Sequence, residues 1–492
     1  MQPFSLDQIW PTLWLSTPML ILLVAAVAVL IAEVALPRPG RWALPAIALV
    51  GLLAAMAALW ITHPTAREDV QHAFRLCLRF NGLTGLAHTV ILATAAFLVL
   101  ISPSYVAGRS IPRGEYYALL LLSTLGMMAL ASSSELLTLF LNFEILSIAL
   151  LVLAGLEKES PKSTEAALKY FLLGAFASGF MLLGIAFIYG STGLTRFSLI
   201  AEALAAGRII EPVFLMVGLA LLLVGFGFKL TLAPFHMYAP DVYDGAPTPI
   251  AAAIATGSKV AGFTALFHVI ETVSSWAPIP SGLFVGFCVI IVASMVIGNA
   301  GAIIQPNIKR LLAYSSIAHS SYMAIPLVIV LIRPDLLSEA RDALGYYLMA
   351  YALMTLMAFG VATSLGRLGE GRIASYTGLG LRCRAPAAIM ALAMLSLIGL
   401  PPTVGFFGKV RLFYIAVIGG HAWLAVLGVL ASVASAYYYL RVVVTMYMRD
   451  PSPEAAEQPV PSMATPNALV LTVGAVGLFV FAIFPWLFPF GT

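Results

Sequence analysis

The sequence predicts an all-α polytopic membrane protein with about fourteen transmembrane helices. Of its 492 residues, 61% are hydrophobic and only 10% are charged, and long apolar runs recur from one end to the other. A helix needs about twenty apolar residues to cross the hydrocarbon core of a bilayer, and these runs are that long. The first run, 10–36, has no basic flank before it, so we expect a first span and no cleavable signal peptide.

Hydropathy and helix breakers together place the spans. We predict them at 11–35, 43–62, 83–104, 115–132, 134–155, 166–189, 212–236, 247–272, 281–304, 309–331, 342–366, 385–418, 423–447 and 467–489. The connections on one side carry fourteen basic residues and those on the other carry seven, which predicts both termini on the periplasmic side of a bacterial inner membrane. The amphipathic stretch 195–206 is expected along the outer interface, and proline-rich 450–466 is expected to be a linker.

Three lysines lie beside helix breakers, away from the predicted loops. They are Lys229 before Pro234, Lys259 after Gly257, and Lys409 after Pro401 and Pro402. Non-helical backbone at membrane depth survives only where it is buried in protein or lines a wet cavity. Each buried charge costs about 3 kcal/mol or more on insertion scales, so three such lysines favour a functional role over simple proline kinks with paired charges.

The acidic residues of the fifth span differ in depth. Ser132 and Glu135 have the S-x-x-E spacing of a capping box, which predicts that Glu135 marks a helix start. Glu144 follows nine residues later, about 13 Å deeper in the span and near the bilayer midplane. A carboxylate at that depth should be neutral or paired, and a lysine is its natural partner.

The spacing of these groups indicates an internal repeat. Lys229 and Lys409 are 180 residues apart, and Glu144 and His319 are 175 residues apart. Each interval advances five predicted spans, and because five is odd the second copy must be inverted; inverted repeats with broken helices are typical of transporters. The predicted divisions are 1–114 (first three helices), 115–274 (first repeat), 275–449 (second repeat), 450–466 (linker) and 467–492 (last helix).

The remaining polar residues of the spans are weaker candidates. His236 and Asp241 follow the break at Pro234 and are candidates for lining a half-channel. His88 is more typical of a satisfied core histidine, and His268 lies on the helical face opposite Lys259. Lys169 is expected to pair with Glu165 in the favourable i, i+4 order, whereas Arg411 has no assigned role.

Redox and metal chemistry are not expected within this chain. The three cysteines, Cys77, Cys288 and Cys383, are far apart and form no CxxC, so they predict neither an iron–sulfur cluster nor a zinc site. Motifs of zinc proteases, serine hydrolases and nucleotide-binding loops are not evident. The net charge of +4 is explained by orientation in the membrane, so no nucleic-acid partner is expected.

Several stretches between Glu144 and Lys409 resemble one known family. They are the glutamate of the fifth span, KLTLAPFHMYAPDVYDGAPTP at 229–249, GSKVAGF at 257–263, NIKRLLAYSSIAHSSYM at 307–323 and GLPPTVGFFGK at 399–409. In combination they resemble the antiporter-like membrane subunits of respiratory complex I, over essentially the whole chain. Met237 and Tyr238 depart from the family pattern, in which tryptophan often follows the histidine.

The resemblance implies a proton-translocating subunit of an NADH:quinone oxidoreductase that has no redox centre of its own. Carried over by position, the relay would consist of Glu144 and Lys229 as a coupled pair, Lys259 as central relay, His319 as intermediate carrier and Lys409 as exit or contact to the next subunit. The partners would be other membrane subunits and the lipid bilayer. NADH, FMN, iron–sulfur clusters and quinone would be bound by other subunits, and this chain would bind no cofactor.

The residues are compatible with a simple electrostatic mechanism. Burial disfavours a charged lysine and a nearby carboxylate favours it, so movement of the carboxylate would release the proton. At about 4 Å and an effective dielectric of about 20, the pair is worth about 4 kcal/mol. Three alternatives stay open: a subunit of a multisubunit cation/proton antiporter, a structural membrane scaffold whose charges only specify helix packing, and a quinone-handling enzyme.

Overall fold

The computed structural model describes residues 6–36, 40–62, 71–74, 76–276, 279–366, 371–450 and 463–484. The helices are α1 Leu6–Ala35, α2 Ala43–Thr62, α3 Gly82–Val106, α4 Arg113–Ala131, α5 Leu136–Ala154, α6 Pro161–Thr192, α7 Phe197–Ala205, α8 Pro212–Lys229, α9 Ala239–Gly245, α10 Thr248–Ala255, α11 Gly257–Val273, α12 Ser281–Ile304, α13 Ile308–Ile332, α14 Leu337–Ser364, α15 Leu379–Arg382, α16 Arg384–Ile398, α17 Val404–Ile418, α18 Ala422–Tyr447 and α19 Thr465–Ile483. One antiparallel hairpin, β1 Gln71–Ala73 with β2 Leu78–Phe80, precedes α3.

The predicted fold class is confirmed. Within the described ranges, thirteen helical segments are long and apolar enough to cross a membrane. The remaining predicted span, 385–418, is divided between the apolar half-helices α16 and α17. Their junction includes Gly399, whose φ of +86° is a left-handed conformation that suits glycine. Pro401 and Pro402 follow it and cannot donate the backbone hydrogen bonds that would continue a helix.

Two further predicted spans are interrupted. The span predicted at 212–236 is helical only to Lys229, and residues 230–238 are non-helical before α9 begins. Thr231 in this segment has a φ of +57°, which ends regular α-helix there. The span predicted at 247–272 consists of α10 and α11, which meet at the non-helical residue Thr256.

The interrupted helices lie at the centre of the bundle. The segment formed by α10 and α11, and the helices α13 and α14, are almost completely buried, whereas α1, α2, α6, α12, α18 and α19 leave large apolar faces exposed. The exposed faces are suited to lipid or to neighbouring membrane subunits. Lys259 and His319 lie in these buried helices, so both are separated from lipid by the surrounding apolar helices.

Equivalent helix contacts occur in the two predicted repeats. A Cβ atom at Gly126 of α4 would lie 2.8 Å from the amide nitrogen of Leu146 on α5, and one at Gly298 of α12 would lie 2.6 Å from the amide nitrogen of Ala318 on α13. Gly298 follows Gly126 by 172 residues, and Ala318 follows Leu146 by the same number. This shared contact supports the repeat. The same offset makes Ser147, one helical turn after Glu144, the counterpart of His319.

Several local predictions need correction. Glu135 is itself the N-cap of α5, where its carboxylate accepts from the Thr138 amide at 2.6 Å, while Ser132 is the C-cap of α4, so there is no capping box between them. Arg441, one of the fourteen basic residues assigned above to the predicted connections, lies within α18 and donates to the carbonyls of Ile303 and Gln305. The amphipathic stretch 195–206 forms α7, and most of the linker 450–466 lies outside the described residues.

Candidate functional site

Lys229 is buried at the C-terminus of α8, where the helix breaks. Its side chain is almost inaccessible, its ammonium group donates to Ser147 Oγ at 2.8 Å, and it lies 5.0 Å from the centre of the Phe143 ring. The end of α8 provides the negative end of a helix dipole, which stabilises a cation. No direct ion pair joins it to a carboxylate in the described part of the chain, so its charge is stabilised by dipoles and a hydroxyl.

Glu144 lies one turn before Ser147 on α5. It is half-buried and accepts a short hydrogen bond from Ser178 Oγ of α6. Leu141 and Ile148 on the same face of α5 are exposed, so this carboxylate lies at the outer surface of the bundle. The predicted pair of Glu144 with Lys229 is therefore close but indirect, because the Lys229 ammonium group donates its hydrogen bond to the Ser147 hydroxyl.

Lys259 is completely buried in the first turn of α11. Its three N–H donors have three acceptors: Thr231 Oγ1 at 2.7 Å, the Ser316 carbonyl at 2.7 Å and Ser320 Oγ at 2.5 Å. Thr231 belongs to the non-helical segment that follows Lys229, and the two serines belong to α13. Lys259 thus connects the break after α8 with the central helix of the second repeat.

His319 has hydrogen-bond partners at both ring nitrogens. Nδ1 lies 2.7 Å from the hydroxyl of Tyr347, and Nε2 lies 3.1 Å from the hydroxyl of Tyr439, which in turn bonds Ser315. A neutral imidazole has one donor and one acceptor nitrogen, and tyrosine hydroxyls can fill either role. A proton can therefore arrive at one nitrogen and leave from the other once the hydroxyls reorient.

Lys409 caps the first half of the second broken helix. Its ammonium group donates to the carbonyls of Leu397 and Ile398, each at 2.9 Å, and to Ser432 Oγ at 2.7 Å. The last carbonyls of a helix have no intrahelical donor, so the lysine of α17 satisfies groups that the break of α16 leaves open. The same ammonium group lies 5.4 Å from the centre of the Tyr322 ring.

The relay residues predicted from the sequence form one line through the bundle. The line runs from Glu144 through Lys229 and Lys259 to His319 and Lys409. The first two lysines are near each other in the chain contacts, because Lys229 ends α8 and only one residue separates it from Thr231, the partner of Lys259. Between His319 and Lys409 the structure places the ring of Tyr322, 5.6 Å from the imidazole centre, and no direct hydrogen bond.

The candidate half-channel residues lie beyond this line. Asp241, on α9, is bound by Lys169 and Arg310, with both N–O distances 2.6 Å. Burial alone would raise the pKa of Asp241, but the hydrogen bonds and charges of these two cations outweigh it and the pKa is lowered. Lys169 also pairs with Glu165 at 2.6 Å, as predicted. His236 is half-buried and its Nδ1 has no hydrogen-bond partner in the described residues.

A polar cavity of about 250 Å³ lies near α9, and it was not predicted from the sequence. Lys309 extends into this region and donates to the carbonyls of Asp244 at 2.5 Å and Ala246 at 2.8 Å. Arg109 and Glu157 also line the cavity, so charges of both signs face it. Such a cavity can admit water to the end of α10.

The hydroxyl groups that contact the lysines and the histidine were not among the predicted site residues. They are Ser147, Thr231, Ser320, Tyr347 and Tyr439, and Lys259 also donates to the backbone carbonyl of Ser316. Helical spacing could have indicated Ser147, which is three residues from Glu144, and Ser320, which adjoins His319. The tyrosines come from α14 and α18, far away in the chain, and only packing brings them to the imidazole.

A resident metal is not supported by the residues that the structure describes. They contain no cluster of three or more His, Cys, Asp or Glu side chains able to hold a metal ion, and no disulfide joins Cys77, Cys288 and Cys383. Arg411 lies on the exposed side of α17, with its guanidinium 4.3 Å from the centre of the Tyr346 ring. Its contacts within the chain are with an aromatic face and not with the relay line.

A membrane bundle with lysines buried at breaks in its helices belongs to the class of ion- and proton-transporting membrane proteins. The family model described as "NADH:quinone oxidoreductase/Mrp antiporter, TM" matches residues 133–435. The chain belongs to this family, as the resemblance at 144–409 implied.

Individual relatives agree with this assignment. "NADH-quinone oxidoreductase subunit N" of Trichlorobacter lovleyi is 38% identical over 478 residues, which cover 95% of this chain and 93% of that protein. A chain of "Respiratory complex I from Thermus thermophilus with bound Aureothin" matches with a TM-score of 0.79 and 34% identity, covering 96% of this chain and 98% of that chain. A chain of the "Mrp complex from Dietzia sp. DQ12-45-1b" has a TM-score of 0.81 at 18% identity, covers 99% and 96% respectively, and shows the common fold alone.

Proposed function

We propose that this chain is the subunit N-like, proton-translocating membrane subunit of a bacterial NADH:quinone oxidoreductase. The single observation that carries the proposal is the series of buried lysines, hydroxyls and histidine between Lys229 and Lys409, which an apolar packing core has no need to contain. The relatives at 34–38% identity have names from the same complex. The chain would be a translocating subunit whose redox partners lie elsewhere in the assembly.

The proton steps follow from the contacts of the lysines. Lys229 holds a proton while Ser147, the α8 dipole and the nearby Glu144 stabilise its charge. Displacement of the segment after α8 would move Lys229 and Thr231 together, because only one residue separates them. Thr231 is an acceptor of Lys259, so the same displacement would change the stabilisation of the next lysine. This coupling would pass a proton from one lysine to the next.

The second repeat would receive the proton at α13. Lys259 contacts Ser320, and the adjacent residue is His319. The histidine would transmit the proton between its two tyrosine partners, and Lys409 would be the terminal group toward the next membrane subunit. Both termini would lie on the periplasmic side, and the polar cavity beside Lys309 would provide access from the other side.

Cofactors would be bound outside this chain. The described residues offer no metal cluster, and the proposal assigns NADH, FMN, iron–sulfur clusters and quinone to other subunits. The likeness to a chain of an Mrp complex leaves one competing function open, in which the chain is a subunit of a multisubunit cation/proton antiporter. Co-purification separates the two: a flavin- and iron–sulfur-containing assembly supports our proposal, and a cluster-free complex of small membrane subunits supports the antiporter.

The test of the proposal is NADH-driven proton pumping by the assembled complex in vesicles with Lys229→Ala. We expect quinone reduction and pumping to fall together while the complex still assembles, because loss of a relay group also slows the coupled electron transfer. Lys158→Ala, at an exposed position in the connection before α6, is the matched control and should retain wild-type rates. Full turnover and pumping with Lys229→Ala would overturn the relay role of this residue.

A further inference from the structure

Helices α3 and α11 form a seam that the relay does not use. At one end a Cβ atom on Gly257 would lie 3.7 Å from Cγ2 of Thr94, and at the other end His268 Nε2 lies 3.4 Å from Thr84 Oγ1. Residue numbers rise along α11 as they fall along α3, so the helices pack antiparallel. We call this contact the α3–α11 seam.

Polar residues of α11 follow one helical face along the seam. Gly257, Thr264, His268 and Glu271 are separated by seven, four and three residues, the spacing of a single face. Lys259 lies on the opposite face, directed toward α13. Ser258 lies between these two faces in the first turn of α11, next to the relay lysine.

Buried polar atoms without protein partners are concentrated here. In the described residues, buried side-chain atoms with no hydrogen-bond partner include Thr94 Oγ1, Ser258 Oγ, Thr264 Oγ1, His268 Nδ1 and Arg79 Nε. By their helical faces Thr94, Thr264 and His268 belong to the seam, Arg79 lies at its outer end, and Ser258 lies beside it in the first turn of α11. Buried polar atoms in native proteins are nearly always satisfied by protein or by ordered water, so a row of such atoms indicates a hydrated path.

The seam opens at Glu271, which is partly exposed. The Glu271 carboxylate lies 2.8 Å from Arg79 NH1, 3.6 Å from Arg341 NH2 and 3.7 Å from His268 Nδ1. These groups come from β2, α14 and α11. The carboxylate is thus fixed beside the histidine at the end of the seam.

The hydrogen bonds of His268 favour a proton on Nε2, the ring nitrogen that faces Thr84 of α3. Thr84 donates to Asn81 Oδ1 at 2.9 Å, which leaves its oxygen free to accept from His268 Nε2. The other nitrogen, Nδ1, then faces Glu271 with a lone pair, and a proton arriving there is stabilised by the carboxylate.

We propose that the α3–α11 seam is a second, hydrated proton path, which joins the first turn of α11 beside Lys259 to the aqueous face at Glu271, with His268 as its proton carrier. The proton would enter along water at Ser258, Thr94 and Thr264, bind His268 Nδ1 and leave through water beside Glu271. This inference rests on the proposed function, because it gives this subunit its own connection to the face at which α11 ends.

The first test measures water in the seam and does not depend on pumping. In the full complex with Cys77, Cys288 and Cys383 replaced by serine, Thr264→Cys is treated with a small cationic thiosulfonate reagent. We expect the cysteine of Thr264→Cys to be modified. Washing with excess quinone-free buffer should not reverse the modification, whereas a thiol reductant should reverse it. The control is Leu266→Cys, equally buried on another face of α11, which should remain unmodified. Equal protection of both cysteines would overturn the hydrated path.

The second test asks whether the water carries protons. Thr264→Val keeps the shape of the side chain and removes an unpartnered hydroxyl. If the seam were dry, this removal would leave pumping unchanged or improve stability. We expect proton release to fall about five-fold, the factor that corresponds to one lost hydrogen bond. Thr62→Val is the matched control, because Thr62 Oγ1 is also buried without a partner but lies in α2, away from the seam.

The outcomes separate the two proposals. If Lys229→Ala abolishes pumping while Thr264→Val and His268→Leu pump at the wild-type rate, the relay stands and the seam is not a proton path. If Lys229→Ala pumps normally, the proposed function fails, whatever the seam variants do. Loss of pumping in the seam variants with Thr62→Val unaffected supports the path.

Discussion

The ammonium group of Lys229 lies 2.8 Å from the hydroxyl of Ser147, one turn along α5 from Glu144. The hydroxyl also donates to the Phe143 carbonyl at 2.6 Å, so its oxygen lone pairs are available to the lysine. The carboxylate and the hydroxyl that binds the ammonium group therefore lie one helical turn apart on α5. A shift of the lysine from the hydroxyl to the carboxylate would exchange a neutral acceptor for a charged one, which is the kind of change a proton switch requires.

Ser147→Ala should slow pumping without preventing assembly. Among the residues that the structure describes, the substitution removes the one side-chain acceptor of the Lys229 ammonium group, at a cost of about 1 kcal/mol or about five-fold in rate. Ser123→Ala is the control, since Ser123 is buried and donates only to the Leu120 carbonyl of its own helix. Pumping rates normalised to assembled complex test the expectation, and equal rates for the two variants would contradict it.

Glu144→Gln should damage pumping more than Glu135→Gln. The first removes the charge beside Lys229 and keeps the hydrogen bond from Ser178, so folding should survive. The second weakens an N-cap, worth about 1 kcal/mol to the stability of α5. The measurement is proton uptake per NADH oxidised for the two variants, together with the thermal stability of the complex. If Glu135→Gln is as damaging to uptake, the carboxylate site must include both residues.

Tyr439→Phe should impair the function of His319 while leaving the ring in place. The variant removes the hydroxyl 3.1 Å from Nε2, so one nitrogen loses its proton-exchanging partner. We expect pumping to fall about five-fold, as for one lost hydrogen bond. Tyr438→Phe is the neighbouring control, because that hydroxyl bonds Asn299 and not the imidazole. A ¹⁵N spectrum of the labelled histidine should change for Tyr439→Phe alone; an unchanged spectrum would rule out the contact.

Asp241→Asn should destabilise the bundle at neutral pH. The lowered pKa of Asp241 means that the carboxylate stabilises the folded state above its unfolded pKa and loses that contribution only as the pH falls through the lower folded value. We therefore expect the free energy of unfolding to fall by about 1 kcal/mol, a figure already discounted for partial exposure. The decrease should be equal at about pH 8 and about pH 5. Thermal unfolding of the purified complex measures it. Asp335→Asn, in an exposed pair with Arg333, should have a smaller effect, and a loss that disappears by about pH 6 would contradict the assignment.

Helix boundaries could be predicted where composition alone decides them. The long apolar runs of α1, α2 and α12 agree with their predicted spans to within a few residues, because a bilayer selects length and hydropathy. The breaks near Pro234, Gly257 and Pro401 were also predictable, since proline and glycine disfavour helix, although Pro18, Pro103 and Pro326 lie inside continuous helices. The exact end of α8 at Lys229 was not predictable. Thr231 adopts a left-handed conformation there and ends the helix, but threonine is not a residue type that usually marks a helix break.

The ionisable residues themselves were evident from the sequence, because a lysine or carboxylate in an apolar span is costly wherever it points. Their partners were not. Ser147, Tyr347 and Tyr439 are ordinary residues of membrane helices until packing brings them to Lys229 and His319. The sequence by itself determined the membrane class, the approximate number of crossings and the burial of the three lysines beside helix breaks, since these depend on local composition. Only the tertiary structure decided which hydroxyl meets which ammonium group, because those contacts join helices far apart in the chain through side-chain packing that hydropathy does not encode.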